Sequence, residues 1–108
     1  MPKQQTDASQ INHFQDDTQQ RLRTILAEKR QSGRFEIVEL PPEPFGTLKT
    51  NELAVKATAG NYEIWIYPDG ANVIGGQIDK RFEIYDYGSL NDLQSALLKF
   101  VGELSPLT

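Results

Sequence analysis

The chain has no cysteine and a single histidine in 108 residues. Without cysteine there is no disulfide, no thiolate metal site and no thiol nucleophile, and the composition suits a reducing compartment. One histidine leaves any zinc site to carboxylates, an unusual donor set. His13 stands near the start of a helical pattern with no partner at a matching spacing, so it reads as incidental rather than catalytic. No stretch approaches the roughly 20 apolar residues of a membrane span. The opening, MPKQQTDASQIN, lacks the apolar core of an export signal. These absences predict a cytoplasmic protein that makes no membrane contact.

Catalytic and phosphate-binding signatures are missing as well. Asp69-Gly70 and Gly75-Gly76 are turn glycines and belong to no phosphate-cradling pattern. Ser32-Gly33 and Gly88-Ser89 mark helix boundaries and do not fit a nucleophile elbow. Asp79, Glu83 and Asp86 cluster late in the chain without the periodicity of a calcium loop, which makes them solvated edge charges. Clustered titratable groups of the kind an active site needs are absent, and the expectation is a non-enzyme with no cofactor and no metal.

Basic charge is also scarce. The formal net charge is −4, from 11 basic and 15 acidic residues. Residues 1–54 carry 7 basic and 8 acidic groups, and residues 55–108 carry 4 and 7, so the acidic excess lies in the second half. A phosphate-backbone binder usually shows the opposite balance. Nucleic-acid binding would have to use Arg21, Arg23, Lys29, Arg30 and Arg34 around the first helix. An acidic surface instead favours encounter with a basic partner.

What is present fits one small core. Residues 1–9 read as a polar tail and residues 10–108 as a single domain. Ile11, Phe14, Thr18, Leu22, Ile25 and Leu26 recur at helical spacing and predict a helix over residues 10–31. Ser9 or Asn12 would cap it, Asp16 and Asp17 would suit its first turns, and Gly33 would stop it. Strands are predicted over 34–40 and 52–58, separated by a loop that begins at Pro41, Pro42 and Pro44. YEIWIY, residues 62–67, is the clearest strand, and Pro68-Asp69-Gly70 turns the chain into a further strand at 71–74. RFEIYDY, residues 81–87, would be the last strand. Ser89 and Asp92 then resemble a capping box, and Leu90, Leu93, Leu97, Phe100, Val101 and Leu104 form the stripe of a second helix. The order predicts an α+β domain: an N-terminal helix, a central antiparallel meander of four to five strands and a C-terminal helix packed on the sheet.

Alternation divides each strand into two faces. Tyr62, Ile64 and Ile66 form a core face with Phe82 and Ile84. On the other side Glu63, Trp65 and Tyr67 are expected to join Glu83, Tyr85 and Tyr87. Two arrangements account for so aromatic and acidic a second face. Either the first helix covers it, with the polar tips of Trp and Tyr paired inside, or it is open and serves as a contact surface. The expected function is a non-enzymatic module that occupies a protein partner, such as an inhibitor of a basic protein. A homodimer through this face or a sheet edge fits the same residues. The alternative is an oligomer that holds a small planar ligand between aromatics, with Arg34, Lys80 and Arg81 meeting an anionic group.

Overall fold

The computed structural model describes residues 11–40 and 52–104. The expected tail of residues 1–9, Gln10, the proline loop and the last four residues lie outside the described residues. Helix α1 (His13–Glu28) is followed by strands β1 (Gly33–Leu40), β2 (Glu52–Ala59), β3 (Tyr62–Tyr67), β4 (Gly70–Gly75) and β5 (Ile78–Glu83). A one-turn helix α2 (Ile84–Tyr87) and helix α3 (Leu90–Glu103) complete the domain. The strands pair antiparallel in chain order, β1-β2-β3-β4-β5, which is the predicted meander.

Each short turn follows from its residues. Ala59 pairs with Tyr62, Tyr67 with Gly70 and Gly75 with Ile78, leaving two-residue loops of Gly60-Asn61, Pro68-Asp69 and Gly76-Gln77. Gly60 and Gly76 take positive φ, 61° and 57°, a conformation that costs glycine nothing. Gly75 is required for another reason. A Cβ there would stand 2.5 Å from the Asn61 carbonyl oxygen and 2.8 Å from the Tyr62 Cα, so two backbones approach where no side chain fits.

Asn12 is the cap of α1. Its side-chain oxygen accepts from the Gln15 amide, and the Gln15 side chain accepts from the Asn12 amide, a reciprocal capping box. Asn12 also donates to the Pro68 carbonyl at 2.9 Å, fastening the helix start to the β3–β4 turn. The other end differs from expectation. Gly33 is not the stop; it already pairs with Ala59 in β1. The left-handed residue is Arg30, φ 59°. Arg30 N–H donates to the Ala27 carbonyl and Gln31 N–H to the Leu26 carbonyl, the double closure of a Schellman motif.

The last strand is also shorter than predicted. It ends at Glu83, and residues 84–87 form the turn of α2, closed by Gly88 at φ 82° with its N–H on the Ile84 carbonyl. Wound as a helix, Ile84 keeps its expected place at the core, whereas Tyr87, expected on the outer face, is turned inward and stacks on Phe82 with ring centroids 6.1 Å apart.

Both long helices pack on the same face of the sheet. Phe14 and Leu22 of α1 and Leu93, Leu97 and Val101 of α3 share one core with Val55, Ile64, Ile66, Val73 and Phe82. Burying each aliphatic side chain contributes about 2 kcal/mol, which makes this cluster the main source of stability. The helices run parallel. Near their starts Gln94 donates to Asp17 and Thr18, and at their ends Lys29 donates to the Gly102 and Leu104 carbonyls. The lysine thereby meets the free carbonyls and negative dipole end of α3. Placing both helices together excludes the arrangement in which α1 covers the aromatic face.

Candidate functional site

The outer sheet face is built by strand registration. Glu36, Lys56, Trp65, Asn72 and Arg81 form one row across all five strands. Arg34, Thr58, Glu63, Ile74 and Asp79 form the next. Among the described residues no helix packs on these rows. Ile74 is 39% exposed, while Trp65 and Tyr67 are partly buried.

Trp65 and Tyr67 stand two residues apart on β3, and their rings stack at 6.4 Å with only 15° between planes. The Trp65 indole N–H donates to the Glu63 carboxylate at 3.2 Å. The Lys56 ammonium lies 5.5 Å from the Trp65 ring centre and 3.8 Å from Glu63. Trp65 is therefore held on two sides while keeping part of its ring in solvent. Desolvation raises the Tyr67 hydroxyl above its usual pKa, with Arg81 lowering it and Glu52 raising it.

Glu83 lies at the β5 end of this surface, 3.8 Å from Arg81. The hydroxyl of Tyr85, itself 80% exposed, bonds to Glu83, and this bond holds the Tyr85 pKa above its usual value. Glu63, Trp65, Tyr67, Glu83 and Tyr85 thus gather as the alternation suggested, although Tyr85 arrives from α2 rather than from a strand. Tyr87 does not join them, because the helical turn sends it to the core side against Phe82. Asn72 was missed. It is a polar residue in the middle of the face, 8% exposed, and it lines a cavity of about 270 Å³ with Tyr67, Arg81 and Glu83. No pattern in the sequence marked it, for Asn72 is an ordinary mid-strand position of β4, paired with Trp65 and Arg81.

The two basic sets are dispersed. Arg34 lies on β1, at the opposite edge of the sheet from Lys80 and Arg81. Lys80 also belongs to the helix side, its ammonium 5.5 Å from the Phe82 ring. Around α1, Arg21 pairs with Asp17, Arg23 lies over Phe35, and Lys29 closes α3. Among the described residues no group of three or more acidic or histidine side chains could hold a metal, and no helix is long and apolar enough to cross a membrane.

Compared with known proteins, the chain matches no protein-family model, no curated protein and no solved structure.

Proposed function

We propose that this chain is a non-enzymatic binding module that acts by occupying a protein partner through the outer face of its sheet. The observation that carries this reading is the Trp65–Tyr67 stack, two partly exposed aromatic rings on a surface that no described helix shields. Large aromatic side chains supply much of the energy at protein interfaces, and their few rotatable bonds make that contact cheap in entropy. Around them stand Glu63, Glu83 and Asp79 against Lys56 and Arg81, so the surface carries an acidic excess. Such a rim selects a partner of opposite charge and speeds its approach. The small-molecule alternative has less support, because its three basic side chains lie on different edges and faces.

Site-specific photo-cross-linking tests the reading. A benzophenone amino acid placed at Trp65 should capture a discrete partner protein in the native cell extract, whereas the same group at Lys99, exposed on α3, should not. Equal labelling from both positions, or none from position 65, contradicts it. Adducts containing only a second copy of the chain would replace the partner by a homodimer.

A further inference from the structure

Among the described residues, Asn72 Oδ1 is a buried side-chain acceptor with no hydrogen-bond partner. Buried amides are nearly always paired, because an unpaired one gives up its water for nothing. On β4, Asn72 stands between Trp65 on β3 and Arg81 on β5, its register partners on the outer face. Tyr67 and Glu83 line the same cavity, together with Glu52 and Asp69. Asp69 and Glu83 thus bring two carboxylates to the cavity of an unsatisfied acceptor, against one guanidinium. That guanidinium belongs to Arg81, which is 72% exposed and leans 3.8 Å from Glu83 instead of bonding to Asn72.

An acceptor without a donor, an aromatic wall and excess negative charge are together complementary to a cation that carries N–H groups. We propose that this cavity takes a basic side chain of the protein partner, whose N–H donates to Asn72 Oδ1 while Glu83 neutralises its charge and the Tyr67 ring covers its stem. The proposal rests on the outer face being the partner surface, and it adds the partner's chemistry: a lysine or arginine presented to β4. Arg81 is the resident competitor, drawn toward Glu83 when the cavity is free and displaced outward when it is filled.

The probes are blocked arginine amide and its uncharged isostere, blocked citrulline amide, titrated into the ¹⁵N-labelled protein. Arginine should give saturable shifts at the Asn72 side-chain amide, the Trp65 indole and the Gly70 backbone, with at least tenfold weaker binding for citrulline. Asn72→Leu should weaken arginine binding tenfold or more and yet melt at a higher temperature, since an idle polar group has been removed. Arg81→Ala should tighten it several-fold, and Glu83→Gln offers a second loss-of-binding variant with an unaltered core. Arginine shifts spread over acidic residues generally, or an Asn72→Leu protein that melts lower and binds as before, would overturn the proposal. If Asn72→Leu still captures the partner from position 65 at unchanged affinity, the cavity assignment fails while the outer-face reading stands. If arginine binds but position 65 captures nothing, the partner reading fails and the proposed side-chain occupant fails with it.

Discussion

Gln15, on the first turn of α1, donates a hydrogen bond of 3.0 Å to the carbonyl of Ile66 in the middle of the sheet. The same nitrogen donates to the Leu53 carbonyl at 2.8 Å, and the side-chain oxygen accepts from the Asn12 amide. One buried polar residue, 1% exposed, thus caps the helix and ties it to β2 and β3. This polar seam adds to the apolar contacts of Phe14, Leu22 and Leu26 in holding α1 on the sheet.

Gln15→Leu keeps the volume but removes the bonds to the Leu53 and Ile66 carbonyls and the one accepted from the Asn12 amide. The expected cost is about 2 kcal/mol or more, at the level of one or two unsatisfied buried groups. Urea unfolding followed by circular dichroism would measure it. A Gln15→Leu protein as stable as the parent would show that water replaces the side chain at no cost.

Arg30 holds a left-handed conformation that glycine adopts freely. Arg30→Gly should stabilise the domain by about 0.5–1 kcal/mol, the strain removed at the Schellman closure exceeding the added freedom of the unfolded chain. The comparison to make is the denaturation midpoint of the two proteins at equal slope.

Asp17 has a pKa held below its ordinary value of 3.8, first by the hydrogen bond from Arg21 and then by that from Gln94. A carboxyl depressed by folding contributes stability above its unfolded pKa and loses it as pH falls through the folded value. The stability difference between the parent and Asp17→Asn should therefore be constant from pH 5 to 7 and shrink below pH 3.8. A difference that grows on acidification would reverse the sign of this linkage.

The meander was legible because its turns announce themselves: YEIWIY, then Pro68-Asp69, then a returning strand are local signals. β5 and α2 were not separable by the same means. In RFEIYDY, Phe82 and Ile84 alternate as in a strand while Ile84 and Tyr87 stand three apart as on a helix, and so short an apolar run fits either period. Gly88 was the missed clue, for its left-handed φ closes the turn. The side on which α1 packs was equally hidden. A stripe such as Phe14, Leu22 and Leu26 says that a helix is buried, but not under which face. Lys56 and Arg81, set among the outer aromatics, were the available hint that this face stays wet. Asn72 lay beyond pattern reading altogether, because its importance comes from a partner it lacks.

Trp65 is the only tryptophan, so its fluorescence reports the outer face without labels. The direct measurement is acrylamide quenching of Trp65 in the monomeric protein, alone and with the partner recovered by cross-linking. The account predicts ready quenching in the free protein, and protection with a blue-shifted emission in the complex. A Trp65 already shielded in the free monomer, or one equally quenchable in both states, would contradict the claim that this face is where the protein acts.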